Sequence, residues 1–150
     1  MPADLTVFAK DYPESRLMVE IRPTVSTPAE EDPAVKRLAR AMWGENCHYG
    51  LVVTPAKTYV LRDDFSTSAP ESIHVTNTLS TEILFGRLIH AVPATISERE
   101  LEMLAGRWLS RLAASYESAL PDDEEVERAF FPDIVGAVAD GRVVGEVLIG

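Results

Sequence analysis

RLMVEIR, residues 16–22, carries the reading of this chain, because Leu17, Val19 and Ile21 alternate with Arg16, Met18, Glu20 and Arg22 at the period of a strand. The opening stretch MPADLTVF alternates in the same way, with Leu5 and Val7 on one side. Between them KDYPES (10–15) supplies the Asp, Pro and Ser that favour turns. An antiparallel hairpin that sets Leu5 opposite Val19 and Val7 opposite Leu17 makes one face uniformly apolar. The same register puts Asp4 opposite Glu20 on the other face, with Arg22 one pleat further along.

Two carboxylates facing each other across a strand pair lie about 5 Å apart and destabilise the sheet unless a cation compensates them. A hard divalent ion is one such cation: Mg²⁺ takes oxygen ligands at about 2.1 Å, commonly one or two carboxylates with waters and substrate phosphates. Asp4 and Glu20 supply two carboxylates, and the Ile21 carbonyl offers a further oxygen. Such an ion polarises a phosphate and lowers the pKa of a bound water. Arg22 on the same face suits stabilisation of developing charge. The simpler alternative is a solvated hairpin face in which Arg16 and Arg22 neutralise the acids.

Beyond IRPTVSTP the period changes to that of a helix. Asp32 suits an N-cap, Pro33 the first helical position, and Val35, Leu38, Ala39 and Met42 form an apolar stripe that ends near Gly44. Lys36, Arg37 and Arg40 fall on or beside the opposite face. YGLVVT (49–54) and TYVLR (58–62) read as strands around Pro55-Ala56-Lys57, the first of them apolar on both faces and so interior. A polar loop, DDFSTSAPES (63–72), leads to a short strand around SIHVTN, and Ser80 or Thr81 opens a helix through EILFGRLIH. Ser97 and Glu100 form a capping box for a longer helix with Leu101, Leu104, Trp108, Leu109 and Leu112 on its apolar side. The acidic stretch DDEEVERAF reads as a solvated helix start, DIVGAVAD as a short helix stopped by Gly141, and RVVGEVLI (142–149) as a closing strand.

The arrangement Asp4-x15-Glu20-Ile21-Arg22, followed by a helix and then YGLVVT, resembles the core of the PD-(D/E)xK nuclease superfamily. There an aspartate opens one strand, the next carries (D/E)-x-K, and the following helix brings a Gln or Lys to the site. The likeness is most specific over residues 3–62, towards small bacterial members with PDLxVF…VVEVK near the start and LLVTP…LYLWRD after the helix. It implies an α/β fold of the restriction-endonuclease-like type: a mixed sheet with an N-terminal β-hairpin, flanking helices and a helical C-terminal extension. The resemblance implies Asp4 and Glu20 as ligands of Mg²⁺ or Mn²⁺, with Arg22 in the lysine position and Arg37 (or Lys36) where the helix residue reaches the site. The implied activity is metal-dependent phosphodiester hydrolysis of nucleic acid, or descent from it. A non-catalytic protein-interaction or structural module on the same fold is the alternative.

Family members carry a helix and strand before the aspartate-bearing strand, where this chain has three residues. The missing edge is to be filled by the C-terminal RVVGEVLI strand or by another subunit, or else a longer natural N-terminus is absent from this sequence. An open edge at the first hairpin would favour a homodimer.

The 150 residues suit one domain, with 1–92 as the nuclease-like core and 93–150 as the extension. With 46% apolar and 25% charged residues, no transmembrane run and no signal-peptide pattern, the expectation is a cytoplasmic protein. A net charge of −10 weakens the case for DNA as partner, since non-specific grip on nucleic acid comes from Lys and Arg. Cys47 is the lone cysteine and reads as a buried reduced thiol. Cys47-His48, His74 and His90 lack zinc-site spacing, Gly141 and Gly145 lack the context of a nucleotide loop, and Trp108 reads as core.

Overall fold

The computed structural model describes residues 3–145. Leu5–Phe8 (β1) and Ser15–Ile21 (β2) form the hairpin, with Leu5 opposite Val19 and Val7 opposite Leu17, as their alternation requires. A bulge between Val7 and Phe8 shifts the register towards the turn. Pro33–Gly44 (α1) then crosses over to Tyr49–Val53 (β3), which runs parallel to β2. Lys57–Asp63 (β4) and Ile73–Ser80 (β5) follow antiparallel, so that with Arg142–Gly145 (β6) the six-stranded mixed sheet has the order β5-β4-β3-β2-β1-β6. β3 is interior, as its apolar run requires.

Arg142–Gly145 (β6) pairs antiparallel with β1 and covers the outer edge of the first hairpin. The edge that argued for a homodimer is therefore filled from within the chain. The rest of the sequence read as the closing strand, 146–149, lies outside the described residues.

Alternation along the strands divides the core between the two faces of the sheet. Met18, Val52, Tyr59 and Leu61 point to the α1 side, where Val35, Leu38, Ala39 and Met42 meet them. Leu5, Val7, Leu17, Val19, Ile21, Leu51, Val53 and Val60 point to the other side. That face is covered by Glu98–Ala114 (α3), Glu124–Phe130 (α5) and Asp133–Val138 (α6), after the single turns Thr81–Leu84 (α2) and Tyr116–Ala119 (α4). The segment read as an extension thus supplies one of the two helical layers and a strand.

Helix α2 is shorter than the pattern of EILFGRLIH suggests. Leu84 and Phe85, both fully buried, are adjacent in sequence and fill the core together, and the chain turns away at Gly86. Helix α3 begins as expected, with Ser97 Oγ accepting the Glu100 N–H at 3.1 Å. The α6 terminus differs in detail. Asp140, at φ 60°, takes the left-handed conformation that ends the helix, one residue before Gly141. Among the described residues no helix is long and apolar enough to cross a membrane.

Candidate functional site

The strand pair β2–β3 and the crossover helix between them position the acidic residues. Glu20 follows Met18 on the α1 face of β2, so its carboxylate lies under the first turns of that helix. The helix start is fixed by Asp32. One of its carboxylate oxygens accepts the Ala34 N–H, and the other accepts the N–H and hydroxyl of Ser26, each at 2.8 Å. Burial pushes the Asp32 carboxyl up, but these bonds outweigh it and hold it below the usual carboxylate range. The loop between β2 and α1 is thereby tied to the helix N-terminus.

Just over one turn into the helix, Arg37 extends back from α1 to the sheet. Its Nε donates to Glu20 Oε1 at 3.0 Å, and Nη2 donates to the same oxygen. The Glu20 side chain is 10% exposed and that of Arg37 43%, so the pair is buried at the carboxylate end and open to solvent at the guanidinium end. The Glu20 bond raises the Arg37 pKa further, desolvation opposes it, and the charges of Asp4 and Asp32 add to the upward push.

Asp4 lies just before β1, beside Glu20 and Ile21. Its Oδ2 accepts the Ile21 N–H at 2.7 Å, while the next amide, Arg22 N–H, donates to the Val53 carbonyl on the opposite side of the strand. Asp4, Glu20, Ile21 and Arg37 are thus brought together as the sequence suggests. Of the two candidates on the helix, Arg37 reaches the acids. Lys36 instead lines a groove of about 390 Å³ with Arg40, Glu71 and His74. Arg22 is half-buried at the end of β2, and among the described residues its side chain makes no hydrogen bond or ion pair.

The donor set can be judged from this geometry. One Glu20 oxygen receives two guanidinium N–H groups, one Asp4 oxygen receives a backbone amide, and a full positive charge already stands beside both acids. Among the described residues no group of three or more His, Cys, Asp or Glu side chains is placed to hold a metal ion. As arranged, these residues do not fit a divalent ion, which would have to share Glu20 with the Arg37 guanidinium and stand against its charge.

Cys47 is 1% exposed, and its thiol donates to the Tyr49 carbonyl at 3.3 Å. Desolvation pushes its pKa up to about 11, which suits an inert packed thiol rather than a nucleophile. A second charged cluster escaped the sequence reading. Arg62 on β4 forks onto Asp133 of α6, at 2.9 Å and 3.1 Å, and also reaches Thr76, Asn77 and the Ala129 carbonyl. Its partners lie up to 71 residues away in sequence, beyond the reach of any local pattern. Comparison of the chain with family models, with curated proteins and with solved structures finds no match in any of the three.

Proposed function

We propose that this chain is a non-catalytic protein-interaction module on a restriction-endonuclease-like fold, descended from metal-dependent nucleases. The observation that supports it best is Arg37 on Glu20: the carboxylate expected to hold metal is engaged by the protein's own guanidinium. Two further features agree. Arg22 stands at the lysine position, and a guanidinium is unsuited to proton relay. The net charge of −10 opposes association with the phosphate backbone. The partner on this reading is a protein, a second copy of the chain among the candidates, met in the cytoplasm, where Cys47 stays reduced.

A Mg²⁺- or Mn²⁺-dependent phosphodiester hydrolase acting on DNA is the second reading. It is favoured by the placement of Asp4 and Glu20 around the Ile21 backbone at one end of the hairpin. Incubation of supercoiled plasmid with Mn²⁺ at low salt, using wild type and Glu20→Ala side by side, separates the two. The expected result is no nicking by either protein. Nicking by the wild type that disappears in Glu20→Ala would establish the hydrolase.

A further inference from the structure

We propose that Arg37 is the built-in cation of this site, occupying the place beside Asp4 and Glu20 that a divalent ion would need, so that its removal turns the same residues into a metal site. This inference rests on the non-catalytic reading above and adds a specific role for one side chain.

Glu20 is a nearly buried carboxylate, and such a group needs a counter-charge or hydrogen-bond donors to remain ionised. Within a metal site the ion supplies that charge. Here two N–H groups of one guanidinium converge on Oε1, and Asp4 and Asp32 lie close enough to act on the same cation. Arginine suits the role because its charge is permanent and its fork presents several donors in one plane.

Asp4 is oriented independently of Arg37. Its hydrogen bond to the Ile21 amide holds the carboxylate against β2 whether or not the guanidinium is present. The two acids therefore stay near each other when Arg37 is shortened. The guanidinium end of Arg37 faces solvent, so truncation opens a path from bulk water to Glu20 without cutting into the core. An ion entering by that path finds a carboxylate from each strand of the hairpin, and water completes its shell, as hard divalent ions commonly require.

The guanidinium and the ion compete for the negative charge of the same carboxylates, so metal affinity should rise when the guanidinium is taken away. The probe is Mn²⁺ alone, followed by calorimetric titration and by its effect on the melting temperature. The proteins are wild type, Glu20→Gln, Arg37→Ala, Arg37→Gln and the double variant Arg37→Ala/Glu20→Gln. Arg37→Gln keeps length and polarity and guards against a folding defect in the alanine variant. The expected result is Mn²⁺ binding at least about tenfold tighter in Arg37→Ala and Arg37→Gln than in wild type, with a matching rise in melting temperature. Both gains should vanish in the double variant.

Failure of the Arg37 variants to gain Mn²⁺ binding, with wild type also silent, would overturn this inference and leave the non-catalytic reading standing. A gain that persists in the double variant would place the ion elsewhere and overturn it too. Wild-type binding of Mn²⁺ that is lost in Glu20→Gln would overturn the non-catalytic reading itself.

Discussion

Trp108→Ala is expected to lower the stability of the fold by about 3–5 kcal/mol, the largest effect of any single substitution considered for this chain. Trp108 is 1% exposed on α3, with its ring 5.2 Å from that of Phe85 and 5.7 Å from that of Phe130. Those three aromatics come from three separate stretches of the chain and meet on the helical side of the sheet. Truncation leaves a cavity between two buried rings, so transfer and cavity costs add. The indole also donates to the Ala119 carbonyl at 3.1 Å, joining α3 to α4. Trp108→Phe should therefore cost less, about 1–2 kcal/mol, since it retains most of the ring contact while leaving a buried carbonyl unpaired. Urea unfolding of the two variants beside wild type measures both numbers, and equal losses would mean that the ring contacts kept by phenylalanine contribute nothing.

Arg62→Ala should come next, at about 2–4 kcal/mol, after allowance for the partial exposure of its partner. The guanidinium side chain is 20% exposed and the Asp133 carboxylate 35%. All the Arg62 N–H donors are directed at acceptors on β5, α5 and α6. Its fork holds the Asp133 carboxyl below the usual carboxylate range, a sign that the charged form is stabilised in the fold. Removing it detaches the C-terminal helices from the β4–β5 side of the sheet and leaves the Ala129 carbonyl without this donor. Arg62→Lys should recover little, because an ammonium cannot span Asp133, Thr76 and Asn77 at once. A lysine variant within about 0.5 kcal/mol of wild type in urea unfolding would show that charge alone holds this contact.

Much of the fold was legible from local pattern. The hairpin register followed from Leu5, Val7, Leu17 and Val19, since a slip by one residue would turn every apolar side chain outwards. Helix α1 was legible from Asp32-Pro33 at one end and Gly44 at the other, and it ends where they suggest. Less legible was the short α2, where burial of both Leu84 and Phe85 overrides a helical period. The pairing of β6 with β1 remained one of three possibilities, because the alternation within a strand does not name its neighbour.

The candidate site was legible to a similar degree. Asp4 and Glu20 were found from the strand period, and their closeness to Ile21 follows from it. The pattern favoured Arg37 but left Lys36 as an alternative, since the two are adjacent and both fall outside the apolar stripe. The deciding fact is the side on which α1 packs. Met18 is buried under α1, Glu20 shares its face of β2, and Arg37 is the residue whose long side chain returns over that face. Arg62 illustrates the opposite case, an anchor whose partners no sequence window contains.

The account turns on the claim that Arg37 neutralises Glu20 in the native state, and a double-mutant cycle tests it most directly. Glu20→Gln, Arg37→Gln and the combined variant would be compared with wild type by urea unfolding in the absence of divalent metal. The buried carboxylate end and the solvated guanidinium end place the expected coupling between those of exposed pairs and buried ones, at about 1–2 kcal/mol favourable. A coupling within about 0.3 kcal/mol of zero would contradict the account, for it would mean that Glu20 is indifferent to the cation beside it.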